Sequence, residues 1–378
     1  MKFDYLIVGA GYSGCVLAER IATQLEKRVL IVEQRNHIAG NAFDYYDENG
    51  ILVHKYGPHI FHTNSKKVWD YLSKFTEWRQ YYHKVLAVVD GKKIPVPFNL
   101  NSLRMIFPER YAQKIEDLLI EQYGYGVKIP ILKFLEDAKG ELKILAEFIY
   151  EKIYYGYTLK QWDLKPEELD PGVTARVPGI FISRDDRYFQ DKYQGIPKYG
   201  YTKMFEKMIS HRNIHILLNT DYKDIIELVK FDKLVFTGPI DYFFDYIYGA
   251  LPYRSLKFKF ERYNIEYFQE VAQVNYPNDY DYTRITEFKH LTGQVSPYTV
   301  VAYEYPESYK VGLNEPYYPI PKEENIEIYK KYASEVKKLN GIVFFVGRLA
   351  DYKYYNMDQV VARALSVFEN EIVYSDVK

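Results

Sequence analysis

The stretch Tyr5-Leu-Ile-Val-Gly9-Ala-Gly11-Tyr12-Ser13-Gly14 has the residue types and spacing to hold a pyrophosphate. Gly9 permits a sharp turn out of an apolar strand, Gly11 lets backbone approach the phosphates, and Gly14 lets the next helix pack closely on the strand. The free N–H groups and positive dipole end of that helix then face the anion. Glu33 closes a second apolar run, Arg28-Val-Leu-Ile-Val, about 20 residues after the turn, where a carboxylate binds a ribose hydroxyl. A second chemical cluster is Tyr56-Gly57-Pro58-His59-Ile-Phe-His62-Thr63. Paired histidines suit a metal only with acidic or thiol ligands at zinc-like spacing, and none is near, so no metal site is assigned and the pair is read as serving a cofactor or substrate. Within residues 166–197, Arg176, Arg184 and Arg187 sit among glycines and prolines, as in a mobile lid that carries cations to a phosphate.

These groups need elements to hold them. Val16, Leu17, Ile21 and Leu25 follow the glycine turn at helical spacing, so the opening reads strand, turn, helix. Residues 34–44 are polar and glycine-bearing, as suits a loop on the carboxyl edge of a parallel sheet, where Gly40 can admit phosphates. Asp90-Gly91 signals a hairpin. Across residues 102–162 the period turns helical, first at Ile115, Leu118, Leu119 and Tyr123, then at Leu142, Leu145, Phe148, Ile149 and Ile153. Residues 201–209 read as a helix. Residues 214–218 and 233–239 read as short parallel strands that rejoin the opening sheet, and residues 342–348 as one more buried strand, which makes the dinucleotide domain discontinuous. Residues 240–320 alternate and are rich in tyrosine, consistent with antiparallel strands. Asn356 suits the N-cap of a helix starting at Met357. The expected class is α/β: a discontinuous Rossmann-like parallel sheet, with an inserted helical domain and an antiparallel β-sheet domain.

At 378 residues the chain exceeds one ordinary domain. Its 50 basic and 51 acidic residues balance, which removes the electrostatic case for nucleic acid or an anionic membrane as partner. Cys15 is the single cysteine, so no internal disulfide is available and a reducing compartment is expected. The first strand begins at once, leaving no space for a signal peptide, and no apolar run approaches the ~20 residues of a membrane span, so a cytoplasmic protein is expected. The 41 tyrosines include rings suited to a sugar or nucleotide cleft, though most are read as ordinary packing.

Taken together, the glycine turn, Gly40-Asn41, Tyr56–Thr63, Gly156-Tyr-Thr-Leu-Lys-Gln-Trp162, Tyr193-Gln-Gly-Ile-Pro197, Gly200-Tyr-Thr202, Thr237-Gly-Pro239, Tyr282-Thr-Arg-Ile-Thr-Glu287, Pro316-Tyr-Tyr-Pro319 and Val346-Gly-Arg-Leu349 resemble the blocks of the UDP-galactopyranose mutase family over nearly the whole chain. The resemblance implies an isomerase that interconverts the pyranose and furanose rings of a nucleotide sugar. It implies FAD in the Rossmann site, active when reduced by an external reductant, with no net redox change. In the family, reduced flavin N5 attacks the anomeric carbon and expels the nucleoside diphosphate, the adduct opens to an iminium, and a different hydroxyl closes the ring. The implied organisation is an FAD-binding domain of residues 1–80, 190–240 and 330–378, a helical domain of residues 101–172, and a sheet domain of residues 81–100, 173–189 and 241–329 with the mobile loop. A homodimer is implied as well.

By the same resemblance, Gly9, Gly11, Tyr12, Ser13, Gly14, Glu33, Gln34, Gly40, Asn41, His59, Arg348 and Met357 bind FAD. The helix at Met357 would point its positive end at the anionic edge of the reduced ring. Tyr154, Tyr157, Trp162, Arg184, Tyr188, Asn275, Arg284, Tyr318 and Tyr354 would bind the nucleotide sugar, and Arg284, Arg348, His59, His62 and Tyr354 would act in catalysis, the arginines on the departing diphosphate. Some positions depart from the family pattern. Ile180 stands where the mobile loop carries an arginine, with Arg184 as a candidate replacement. Ile153 replaces a phenylalanine of the nucleobase wall, Asp163 follows the tryptophan in place of glycine, and Asn356 replaces an acid. UDP-galactose is the default substrate and dTDP-fucopyranose the alternative. A flavin oxidoreductase of amine-oxidase type is a more distant reading, against which the lack of a second Gly-x-Gly-x-x-Gly counts. A nucleotide-sugar binder without turnover, suggested by Ile180, is a third.

Overall fold

Val29, Leu30, Ile31 and Val32 are all buried, as the central part of a parallel sheet must be when both of its faces are covered. In the computed structural model, which describes residues 2–170, 178–320, 322–339 and 341–377, this strand belongs to a parallel sheet. The sheet runs in the order Ile214–Leu217, Val29–Val32, Lys2–Val8, Lys230–Phe236, Val343–Phe345. Tyr5 is in register with Val29 on one side and Lys233 on the other. The sheet is therefore assembled from stretches far apart in the chain, as the spacing predicts. Helix Tyr12–Gln24 and helix Met357–Val367 share one core, in which Cys15, Val16, Ile21, Val361, Ala364 and Leu365 are buried. The Cys15 thiol donates to the Ala10 carbonyl at 3.2 Å, and burial pushes its pKa up.

The chain divides into two compact units, the first being Met1–Gln80, Asp191–Tyr253 and Pro316–Lys378, the second Tyr81–Gln190 and Arg254–Glu315. The first unit also holds a small antiparallel sheet in which Tyr193–Pro197 lies between Phe61–Thr63 and Trp78–Gln80, with Gln194 opposite His62.

In the second unit, helices Leu100–Ile106, Glu109–Tyr123, Ile131–Asp137, Glu141–Ile149 and Gly156–Trp162 pack together, burying Ile115, Leu119, Leu142, Leu145 and Ile149, and Ile153 of the turn that follows Ile149 is buried with them; all are positions of the expected apolar stripe. A π-helical turn, Tyr150–Tyr155, precedes the last of these helices. The unit's sheet runs Tyr253–Tyr263, Thr299–Ser308, Arg284–Glu287, Gln273–Asn275, Val85–Val89, Lys92–Val96. Its pairings are antiparallel except for Gln273–Asn275 with Val85–Val89. Asp90 and Gly91 join the last two strands with φ of 47° and 78°, the paired positive values of a type I′ hairpin.

Two segments differ from the sequence reading. Within residues 240–320, Ile240–Phe243 and Phe288–Thr292 are short helices. Phe288 and Leu291, both fully buried, are three residues apart, a spacing that one helical turn places on one face and a strand does not. Residues 166–197 are not one uniform connection, since Ile180–Phe181 pairs with Lys128–Ile129 and Tyr193–Pro197 is a sheet strand. Arg176 lies outside the described residues. Among the described residues no helix is long and apolar enough to cross a membrane.

Candidate functional site

In the first unit, Gly9 leaves the opening strand at φ +100°, and a Cβ there would fall 2.2 Å from Thr237 Oγ1. At Gly14 a Cβ would fall 1.9 Å from the Gly9 carbonyl oxygen, so the helix sits closer to the turn than any side chain permits. Gly11 is the N-cap of that helix, without a side-chain cap and without an acidic residue in the first turn, which leaves the positive end open to an anion. Opposite it, the Ala39 N–H donates to the Ala10 carbonyl at 2.8 Å and brings Gly40 up to Gly11. A Cβ on Gly11 would meet the Gly40 Cα at 3.8 Å. The result is a cradle walled by backbone, which fits a dinucleotide pyrophosphate.

Glu33 braces this cradle. Its Oε2 accepts from the Ala10 N–H at 2.8 Å and its Oε1 from the Arg35 N–H at 2.9 Å, and each oxygen keeps a further acceptor site for a ribose hydroxyl. Tyr12 turns its ring into the core against Phe205 at 4.7 Å, so its backbone amide is the group it offers a phosphate. Ser13 is buried and Gln34 is exposed. The side-chain oxygen of Asn41 accepts from Arg35 Nη1 at 3.0 Å.

The expected histidines have distinct surroundings. The His59 N–H donates to His54 Nδ1 at 3.0 Å, and His59 Nδ1 lies 2.8 Å from the Gly57 carbonyl. A carbonyl only accepts, so Nδ1 of His59 carries the proton and Nε2 presents a lone pair. Burial, reinforced by His54 and by the Arg348 charge, pushes the pKa of His59 down to about 3. His62 Nδ1 lies 3.0 Å from Asp191 Oδ2, and Asn64 Nδ2 donates to the other Asp191 oxygen at 3.0 Å. Thr63 Oγ1 donates to Asp358 Oδ2 at 2.9 Å, which ties the His62 strand to the first turn of helix Met357–Val367. Asn356 occupies the N-cap of that helix, and its N–H donates to Gln359 Oε1 at 2.8 Å. Met357 packs half-buried against the core.

Arg348 donates to the Tyr355 carbonyl at 2.8 Å and the Tyr317 carbonyl at 3.3 Å. Its guanidinium lies over the rings of Tyr318 and Tyr354, 5.4 and 5.9 Å from their centroids, and those rings meet edge-on at 5.0 Å. No carboxylate among the described residues is within ion-pair distance of it. The site thus holds a fixed cation, braced by carbonyls and aromatic faces, whose charge is left for a ligand.

In the second unit, Trp162 ends helix Gly156–Trp162 and Asp163 follows at φ 57°, ψ 32°, the left-handed C-cap conformation that glycine adopts most easily. The departure at Asp163 therefore falls on a backbone requirement. Arg254, almost fully buried, donates to the Gln161 carbonyl at 3.0 Å and the Lys160 carbonyl at 3.3 Å, closing the same helix end. Tyr157 is half-buried in the helix, and the Tyr154 hydroxyl donates to the Pro178 carbonyl. Tyr188 is held by its N–H to the His83 carbonyl at 2.7 Å.

Asn275 pairs across the sheet with Arg284, and Arg284 Nε lies 3.0 Å from the buried Glu304 Oε1. Arg184 is paired with Glu116 at 2.6 Å, and Glu116 also holds Arg104 at 2.9 Å. Ile180 is fully buried and Ile153 nearly so, both in the core of this unit. Among the described residues no group of three or more His, Cys, Asp and Glu side chains is arranged to hold a metal ion.

The structure brings Arg348, Tyr318 and Tyr354 together, and it brings Asn275 together with Arg284. Sequence reasoning missed Asp191, Glu304, Arg254 and Lys160. Asp191 stands two residues before the block Tyr193-Gln-Gly-Ile-Pro197, and the pairing of that strand with the histidine strand is the signal that finds it.

Comparison with known proteins agrees with this architecture. The profile of the UDP-galactopyranose mutase family matches residues 152–354, and that of an NAD(P)-binding Rossmann-like domain matches residues 7–75. A probable UDP-galactopyranose mutase of Klebsiella pneumoniae is 38% identical over 366 residues, covering 96% of this chain and 93% of the relative. A dTDP-fucopyranose mutase of Escherichia coli is 34% identical over 367 residues, covering 95% of this chain and 96% of the relative. The crystal structure of a reduced UDP-galactopyranose mutase superposes with a TM-score of 0.76 at 16% identity, covering 99% of this chain and 94% of that one, and so has the same fold.

Proposed function

The chain belongs to the UDP-galactopyranose mutase family of isomerases, and from that premise we propose that it interconverts the pyranose and furanose forms of a nucleotide sugar with reduced FAD as cofactor. The backbone cradle of Gly9, Gly11, Ser13 and Gly14 with Gly40 receives the pyrophosphate of FAD, Glu33 takes its ribose, and Gln34 and Asn41 flank it. The positive end of the Met357 helix, His59 and His62 serve the flavin ring. When bound and reduced by an external reductant, FAD supplies an electron-rich ring nitrogen as nucleophile toward the anomeric carbon.

The chain's own residues carry the rest. Arg348 and Arg284 offset the charge that builds on the nucleoside diphosphate as it leaves, and hold it until the new ring is ready. Tyr318 and Tyr354 direct hydroxyls at the diphosphate, while Tyr154, Tyr157, Trp162, Tyr188 and Asn275 orient the nucleotide and sugar. At neutral pH His59 is uncharged, its Nδ1 proton held by the Gly57 carbonyl, so its Nε2 lone pair is what it offers a ligand. The observation that most supports this reading is Arg348, a cation braced by two carbonyls and two rings with no carboxylate partner among the described residues. Such a charge calls for an anionic ligand. The enzyme is assigned to the cytoplasm and to a homodimer.

UDP-galactopyranose is the first substrate assignment. Turnover of dTDP-fucopyranose by the same chemistry is the second, favoured by Ile180 in the place of the loop arginine and by the relative that acts on that sugar. Dithionite-reduced protein incubated separately with UDP-galactofuranose and dTDP-fucopyranose, followed by HPLC, chooses between them. A ring isomer from one substrate assigns it, and no ring isomer from either overturns the proposal.

A further inference from the structure

Lys160 lies inside the block Gly156-Tyr-Thr-Leu-Lys-Gln-Trp162, two residues before the tryptophan. Its half-buried ammonium donates to the backbone carbonyls of Tyr276 at 2.6 Å and Tyr280 at 2.8 Å, with those of Tyr282 and Asn278 at 3.4 and 3.5 Å. No carboxylate among the described residues is within ion-pair distance, and burial lowers the pKa of the group from the ordinary lysine value. One loop thus turns its carbonyl oxygens onto a single cation, as it would onto a bound monovalent ion.

That loop joins Gln273–Asn275 to Arg284–Glu287, the strands that carry Asn275 and Arg284. The pairing between these strands covers only Gln273–Thr286, Val274–Ile285 and Asn275–Arg284, and Arg284 sits at its loop end, where a short ladder frays first. A second tie runs from the same loop. Asn278 Nδ2 donates at 3.0 Å to the carbonyl of Lys152 in the π-helical turn, a kind of turn often found at functional sites. Gly156 permits the approach, because a Cβ there would fall 2.7 Å from the Pro277 carbonyl.

We propose that Lys160 is a positioning residue for Arg284: by gathering the carbonyls of the loop it fixes the distance between the Trp162 wall and the guanidinium that grips the nucleoside diphosphate. The inference rests on the reading of Arg284 as that grip. A double-mutant cycle on the full-length flavoprotein tests it, with Lys160→Met, Arg284→Ala and the double variant compared for UDP affinity by calorimetry, kcat and KM, and flavin content. Lys160→Met should weaken UDP about tenfold with flavin content unchanged, and in the Arg284→Ala background the same change should alter UDP affinity by less than about twofold. Wild-type affinity in Lys160→Met, or an equal loss in both backgrounds, overturns the proposal. Wild-type affinity in Arg284→Ala instead overturns the reading of Arg284 on which it rests. If Lys160→Met yields no soluble flavoprotein, Lys160→Gln, which keeps two N–H donors, takes its place in the same cycle with the same outcomes.

Discussion

Arg348 and Arg284 have the same side chain and the same proposed ligand, yet they sit in opposite electrostatic settings. Arg348 is braced by the carbonyls of Tyr317 and Tyr355, which leave its full charge in place. Arg284 lies 3.0 Å from Glu304, whose buried carboxylate offsets that charge before any ligand arrives. A fixed, uncompensated cation attracts an anion at once, whereas a paired one must share its guanidinium between two anions. The two arginines are therefore not equivalent in their proposed role, Arg348 being the standing charge and Arg284 a group whose strength is set by Glu304.

Alanine substitution is the strongest way to break this comparison. Arg348→Ala should lower kcat/KM by about 10²–10³-fold, the loss of about 3–4 kcal/mol typical of one donor to a developing anion, with little change in the urea unfolding midpoint. Arg284→Ala should cost about 3 kcal/mol in turnover and, unlike Arg348→Ala, also lower the unfolding midpoint, because it strands the Glu304 carboxylate in the interior. Equal stability of the two variants would remove the distinction. Glu304→Gln sharpens it further: freeing Arg284 of its counter-charge should tighten UDP several-fold, by about 1 kcal/mol, as measured by calorimetry.

The burial of His54 and His59 has a pH consequence. His54 and His59 are held at about 4 and about 3, below the ordinary 6.5, because burial disfavours their charged forms. The unfolded chain binds protons that the folded chain refuses between those values and 6.5, so this contribution is complete above 6.5 and is lost as pH falls, toward 4 for His54 and toward 3 for His59. Urea titrations should show stability falling by about 1.4 kcal/mol per pH unit for each such histidine, and His54→Asn should flatten the slope. The smallest effect belongs to the helix end beneath Trp162. Asp163→Gly relieves a left-handed residue and should raise stability by at most about 1 kcal/mol without changing the preference between UDP- and dTDP-sugars in paired HPLC assays. A switch in preference would show that Asp163 reads the substrate.

The same contrast marks what the chain reveals by inspection. The glycine turn and the strand Val29–Val32 were legible because local chemistry demands them: a Cβ at Gly14 would strike the Gly9 carbonyl, and a strand buried on both faces must be apolar throughout. Asp191, Glu304 and Lys160 were not legible, because each acquires its role from a partner distant in sequence. Asp191 meets His62 across 129 residues, and Lys160 meets Tyr276 across 116. Asp163 was visible as a departure from a family pattern, but its reason, a left-handed backbone, is a property of coordinates. Within residues 240–320 the tyrosine-rich alternation hid two short helices, since a single turn carries too few residues to display a period.

The proposed reaction is a ring isomerisation driven by reduced flavin without net redox change. Turnover of the nucleotide sugar that proves to be the substrate, measured on the purified yellow protein before and after dithionite reduction, tests it most directly. Ring isomer is expected only from the reduced enzyme, with many turnovers for each reduction and loss of that activity in Arg348→Ala. A protein that releases no flavin on denaturation, or one that turns over equally well when oxidised, would contradict it.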